Sequence, residues 1–233
     1  MERMSQAWER EAEAWVAWAR TPGHDSYWRF HRAAFLSLLP PAGRLTVDLA
    51  CGEGRVARDL AARGHRVIAL DRSPTLAQRT AEAGGPVLVL LADAARLPLR
   101  AGCCDLVVAF MSLQDMDDMH SAALEAARVL ERGGRLCLAV VHPVNAAGRF
   151  TSREADAPFV ISGDYFERRR YAETIEREGL RMTFNQRQWP LQDYFGALEA
   201  AGLLTEAVRE PRPGGENRWN RVPPFLHVRA VKP

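Results

Sequence analysis

Apolar positions change their period twice along this chain, and each change marks a different kind of structure. Trp8, Ala12, Trp15 and Ala19 recur at helical spacing among Glu and Arg, so the first twenty residues predict an amphipathic helix that Thr-Pro-Gly-His-Asp ends. Ser26 stands where it can cap a second helix over 27–39, with Trp28, Ala34, Phe35 and Leu38 as packing positions and Pro40-Pro41 as its stop. From residue 45 the apolar runs become short and continuous and alternate with helical patterns. LTVDLA, HRVIALD, PVLVLLAD, DLVVAFM and RLCLAVVHP read as strands. EGRVARDLAARG, SPTLAQRTAEAGG and SAALEAARVLERGG read as helices. Gly64 and Gly84-Gly85 close two of these helices, and Ser73 with Pro74 opens one.

Strands that are apolar throughout, separated by helices, belong to a parallel sheet covered on both faces. After Pro143 the rhythm stops. Residues 144 to about 188 mix aromatics and charges without a clean period. Regularity returns with LQDYFGALEAAG, a helix ended by Gly202, and the strand candidates LLTEAVRE and FLHVRAVK. The segment between those two strands is rich in turn residues and too short for a helical crossover, so they should run antiparallel. The expected fold is therefore α/β: a seven-stranded, mostly parallel, Rossmann-like sheet whose last strand is antiparallel, with helices on both faces. Residues 1–40 would form an N-terminal helical lid, 41–143 the main core, 144–188 an insertion after the fifth strand, and 189–233 the rest of the core.

Composition narrows the function. At 233 residues with 47% hydrophobic and 26% charged residues, the chain is ordinary globular material. It holds no apolar run of membrane-spanning length, and its start lacks a signal-peptide core, which predicts a cytoplasmic protein with no membrane partner. Cys51, Cys103, Cys104 and Cys137 lack the spacing of a disulfide framework or a zinc set, so buried thiols and no metal are expected. The net charge of +2 is too small for a nucleic-acid footprint, and the run Arg168-Arg169-Arg170 reads as a solvated helix face.

In an open parallel sheet the ligand sits outside the carboxyl ends of the strands. Here those ends carry Asp48, Asp71, Asp93 and, near the fourth, Asp115; His142 follows the fifth. Gly52 and Gly54 let backbone approach a ligand without a Cβ in the way. A buried acid such as Asp48 must be held by backbone amides or face a cation. Asp71, seventeen residues past Gly54, stands where an acid can take both hydroxyls of a ribose.

VDLACGEG, ALDRSP, LADAARLP, CDLVVAFMSLQD and EAARVLERGGRLCLAVVHP resemble, in order, the motifs of class I S-adenosylmethionine-dependent methyltransferases. The resemblance covers residues 27–143 and the final strand pair. It implies S-adenosylmethionine as cofactor. Asp48, with Ala50 and the Gly52 to Gly54 loop, would receive the methionine part. Asp71 and Arg72 would meet the ribose, Asp93 and Ala94 the adenine, and Met111 would pack beside the adenine or the reacting centre. Ala50 departs from the glycine common there. The stretch Met111 to Asp115 lacks the Asn/Asp-Pro-Pro-aromatic signature of amino-group methylation on nucleic acid, so a small-molecule acceptor is expected.

Tyr27 and His31, four apart on one helical face, could close over the cofactor. His142 is the leading candidate base, its bland alternative being the ordering of a His-Pro turn, and Tyr165 is a further catalytic candidate. Asp115 could instead cap a helix beginning near Met116. Two other readings remain open from the sequence: a nicotinamide-dependent oxidoreductase using Gly52-x-Gly54-x-x-Ala57 with Asp71, and a catalytically silent cofactor-binding regulator.

Overall fold

A computed structural model describes residues 3–85 and 87–233. Its centre is a seven-stranded sheet. The strands in chain order are β1 (Thr46–Leu49), β2 (Val67–Asp71), β3 (Val87–Leu91), β4 (Cys104–Phe110), β5 (Leu130–Val141), β10 (Leu204–Arg209) and β11 (Phe225–Val231), with order β3-β2-β1-β4-β5-β11-β10 across the sheet. β1 to β5 pair in parallel, and β11 is antiparallel to both β5 and β10. The chain moves outward from β1 through β2 to β3, then returns to β4 on β1's other side. The switch point, where a crevice opens, is therefore between β1 and β4.

Period-two alternation sorts the strand residues onto two buried faces. Val47, Leu49, Val107, Ala109, Leu136 and Leu138 meet α5 (Met119–Val129) and α7 (Leu191–Ala200) on one side. Leu106, Val108, Ala69 and Ala139 meet α3 (Arg55–Ala62) and Phe35 of α2 (Arg32–Leu38) on the other. Asp48 lies on this second face and so points at the start of α3. The helix boundaries follow the turn chemistry read in the sequence. Ser73 Oγ accepts from the Leu76 amide with Pro74 at the first position of α4 (Pro74–Glu82), and Gly64 and Gly202 follow helix ends at φ +88° and +71°. Among the described residues no helix is long and apolar enough to cross a membrane.

Several local expectations change. The first helix forms as α1 (Met4–Arg20), but the second opens with a π turn over Tyr27–His31, Ser26 makes no side-chain cap, and Trp28 is 61% exposed. Asp118, not Asp115, caps α5, accepting from the Ser121 amide at 2.9 Å. The segment after β5 is a short helix, α6 (Val144–Ala147), and two hairpins, β6 (Gly148–Phe150) with β7 (Phe159–Ile161) and β8 (Arg170–Arg177) with β9 (Leu180–Arg187). The arginine run is thus no helix face: Arg168 forks onto Asp193 at 2.7 and 2.8 Å, and Arg170 opens β8.

Candidate active site

A cavity of about 640 Å³ opens at the switch point. That volume suits a cofactor with a small acceptor beside it. Its floor is the carboxyl edge of the sheet, and its cover is α1 with β8 and β9. Trp8, Trp15 and Trp18 face it from α1, and Glu173, Ile175, Phe184 and Gln186 face it from the hairpin. Trp15 stacks edge-on against Trp8 and Phe184, with ring centroids 5.9 and 6.1 Å apart. α1 is tied down by Glu9, whose carboxylate accepts from the Ser73 and Thr75 hydroxyls. Asp117 joins three elements: it accepts from the Met4 amide at 2.8 Å, pairs with Arg170 of β8 at 3.1 Å, and lies 3.8 Å from Arg72.

The β1–β2–β3 side of the cavity is acidic. Asp48 is 1% exposed; one carboxylate oxygen sits on the α3 N-terminus, accepting from the Ala57 amide, while Oδ2 has no partner among the described residues. Burial, with Asp71 nearby, pushes its carboxyl up to about 7. One oxygen is thus held by backbone, and the other is left over. Asp71 accepts from the Gly52 and Ser73 amides at 2.8 and 2.9 Å, and burial pushes it up to about 6 against those hydrogen bonds. Each oxygen keeps a second lone pair, so the amides aim the carboxylate without exhausting it. Arg72 pairs with Asp93 at 2.9 Å, and Ala94 lines the same wall.

The loop between β1 and α3 is shaped by positive φ. Ala50 stands at +56°, so the residue where glycine is common adopts the glycine conformation at a cost of ~1–2 kcal/mol. Gly52, at +59°, would place a Cβ 3.2 Å from Trp15 Nε1; the glycine is needed for the close approach of α1 as much as for a ligand. Gly54, at +82°, is outside the cavity wall, and a Cβ there would meet Thr80 Cγ2 at 2.5 Å. Met111 lines the cavity at φ +52°. Strained positions at two strand ends in one crevice are the usual mark of a working site.

Besides Gly54, four expected site residues are placed elsewhere. Tyr27 is buried behind the wall, its hydroxyl donating to Asp59 at 2.5 Å and its ring 5.3 Å from Phe110. His31 is also behind it, with Nδ1 2.9 Å from His227 Nε2 and its ring 4.1 Å from that of Phe225. A π turn takes more residues per revolution than an α-helix, so the face read at 3.6 residues per turn is displaced and Phe30 reaches the cavity instead. His142 faces a separate recess; Nδ1 accepts from the Val144 amide at 3.3 Å and Nε2 meets Glu210 at 3.3 Å. An imidazole whose Nδ1 accepts carries its proton on Nε2, so no lone pair is left to remove a proton from a ligand. Burial also holds His142 below the usual range. Tyr165 accepts from the Leu191 amide at 3.0 Å and thereby caps α7, where Pro190 offers no side-chain acceptor.

Of the other cavity residues the sequence marks only Asp115 for the site, as an acid near a strand end, without giving it a role there. Asp25 and Arg55 form a contact ion pair, and the guanidinium lies over the rings of Trp15 and Tyr27 at 5.0 and 4.7 Å. Gln114 and Asp115, on the turn after β4, each present an oxygen with no partner among the described residues. No periodicity marks such residues, because their environment is built by distant segments.

Residues 47–138 match the family model described as Methyltransferase domain. Over that stretch the chain is similar to S-adenosylmethionine-dependent methyltransferases. It is 34% identical over 121 residues to the demethylmenaquinone methyltransferase of Thermobifida fusca, covering 50% of each chain. It is 31% identical over 147 residues to a Mycobacterium tuberculosis protein named "Probable S-adenosylmethionine-dependent methyltransferase", covering 59% of this chain and 54% of that one. The matched stretch thus spans about half the length of these curated relatives. Among solved structures, an S-adenosylmethionine dependent methyltransferase from Mesorhizobium loti superposes with a TM-score of 0.69 at 22% identity, over 89% of this chain and 98% of that one. The likeness is one of fold, and it extends well beyond the matched motifs.

Proposed function

We propose that this methyltransferase moves the methyl group of S-adenosylmethionine to an oxygen, nitrogen or carbon nucleophile of a small-molecule metabolite. The observation that carries the reading is Asp48: a buried carboxylate oxygen without a partner, at the switch point, in a cavity whose next two strand ends are also acidic. A ligand with an ammonium near Asp48 and a diol near Asp71 answers both. Gly52 gives the methionine part room, and Asp93 with Ala94 stands where the adenine would lie. When bound, this cofactor supplies an electrophilic methyl on a sulfonium. The chain's own work is then to orient the acceptor and exclude water.

Support for a small acceptor comes from the aromatic cover that α1, β8 and β9 place over the cavity and from the low net charge. The relatives named demethylmenaquinone methyltransferase agree with a ring-bearing acceptor. Of the expected lid, residues 1–40 and 144–188, α1 with β8 and β9 covers the cavity, while Phe35 of α2 packs on the sheet with the core of 41–143 and 189–233. Titration of S-adenosylhomocysteine by calorimetry tests the reading. Asp71→Ala should weaken binding at least tenfold, since charge-assisted hydrogen bonds are worth ~1.5–3 kcal/mol each. No binding to the wild-type protein, or unchanged affinity in both Asp71→Ala and Asp48→Ala, would remove it.

A further inference from the structure

The switch point divides the cavity by chemistry. The acids that suit the cofactor lie at the ends of β1, β2 and β3. Across the crevice, the ends of β4, β5 and β11 contribute Phe110, Val141 and Phe225, with Phe30 beside them. Phe30 packs on Phe225 with centroids 5.5 Å apart, so this half is a ring-lined apolar pocket.

Set into it are two side-chain oxygens that find no donor among the described residues. Gln114 is 3% exposed and its Oε1 has no donor; Asp115 Oδ1, equally shut from solvent, has none either. They are adjacent on the turn Leu113–Asp115, and both line the cavity. Two tyrosines neighbour Asp115: Tyr171 donates its hydroxyl to Gln186 Oε1 at 2.8 Å, and Tyr194 makes no hydrogen bond to Asp115 Oδ1. Among the described residues no guanidinium, ammonium or imidazole offsets the burial of Asp115, which drives its carboxyl well above the usual range. Buried acceptors without donors are costly, and two side by side in a ligand cavity mark a place where the ligand supplies the hydrogens.

We propose that Gln114 and Asp115 form the polar end of the acceptor pocket, and that the acceptor is a compact ring compound presenting an O–H or N–H donor to them. The inference rests on the methyl-transfer reading and adds to it the class of acceptor: a phenol-like or amine-bearing ring, not an anion and not a carbon acid without a donor. A carboxylate brings no hydrogen for Gln114 Oε1 or Asp115 Oδ1, and its charge would be buried in an apolar pocket with no cation set against it. Asp115 touches the acceptor in this arrangement, and Gln114 fixes the donor's direction.

Calorimetry with naphthol, its methyl ether and naphthoate, with and without S-adenosylhomocysteine, tests the pair. Wild-type protein should bind naphthol about tenfold tighter than the ether, the upper end of what one buried hydrogen bond is worth, and should reject naphthoate. Asp115→Leu should bring naphthol and ether to near-equal affinity. Asp115→Asn, nearly isosteric and certain to fill the same space, should leave an intermediate preference. Equal binding of naphthol and ether by the wild type, a preference that survives Asp115→Leu, or no probe bound in the S-adenosylhomocysteine complex would each overturn the assignment. Loss of S-adenosylhomocysteine binding itself would instead strike the methyl-transfer reading, and the probe preference of the protein alone would still judge Gln114 and Asp115.

Discussion

Affinity for S-adenosylhomocysteine should fall about tenfold between pH 7 and pH 6. Burial raises Asp48 to about 7 and Asp71 to about 6 in the free protein, against a usual value of 3.8. A ligand ammonium at Asp48 and a ribose diol at Asp71 both favour the ionised carboxylates, so binding must expel whatever protons they hold. If the bound carboxylates stay ionised throughout, affinity follows their ionised fraction in the free protein. Over that one unit Asp48 accounts for about a fivefold fall and Asp71 for about a twofold one, together ~1.4 kcal/mol. The two carboxylates interact, so the curve belongs to the pair. The ligand's amine, with an α-amino pKa of about 7.7–8.0, is already mostly protonated at pH 7 and changes little.

Stability carries the opposite sign. Folded-state values above the unfolded value of 3.8 mean that the native protein binds more protons between those limits. The carboxyls' contribution is complete below about 3.8 and lost as pH rises through 6 to 7. Ligand binding should therefore raise the melting temperature more at pH 7.5 than at pH 5.5. Calorimetric titration at half-unit steps reads the affinity curve directly. Asp48→Asn should weaken binding at pH 7 yet reduce the fall to about twofold. A change of less than threefold in the wild type, or an undiminished slope in Asp48→Asn, would refute the assignment of Asp48 to the cation.

Ala50→Gly should raise the melting temperature by about 2 °C, because relief of ~1–2 kcal/mol of left-handed strain exceeds the ~0.4–1 kcal/mol of added unfolded-state entropy; a decrease in thermal scans would show the strain to be absent. Asp117→Ala removes the acceptor for the Met4 amide and the partner of Arg170, at a cost of about 1 kcal/mol or more. Hydrogen exchange should then quicken in α1 and β8 ahead of β1 and β4, and uniform protection would count against Asp117 as the tie. His227 is buried against His31 and held down to about 4, so its stabilising effect is present above the unfolded value of 6.5 and lost as pH falls towards 4. His227 alone accounts for about 2 kcal/mol between pH 7 and 5, and His31, also held well below 6.5 by burial, adds to it. A His31→Phe, His227→Leu double variant should therefore lose at least about 2 kcal/mol less than wild type in denaturant titrations, the carboxylate contributions being common to both; parallel losses would dissociate the pair from acid sensitivity.

Local chemistry determined what could be read from the sequence alone. Continuous apolar strands such as Val67 to Leu70 and Leu106 to Phe110 have to be covered on both faces, and Ser73-Pro74, Gly64 and Gly202 punctuate the helices between them. The acids at the ends of β1, β2 and β3 were legible because a strand's end is fixed by its own pattern, and the parallel topology then gathers those ends along one edge. The hairpins within residues 144–188 were not legible, since half-exposed strands with charges on both sides, as in Arg170–Arg177, carry no clean period. Spacing placed Tyr27 and His31 on a useful face, but a π turn, set by the packing of Phe110 and Phe225 against them, moved that face and brought Phe30 forward. His142 kept its position in the chain yet lost both ring nitrogens to Val144 and Glu210, the latter a residue 68 positions away. Gln114 and Asp115 look like any polar turn; only the closing of β9 over that turn strips them of water and leaves two acceptors waiting for a donor. Periodicity reports what a residue does for its own element, while solvation and pairing depend on segments far off in sequence, and those only tertiary structure decides.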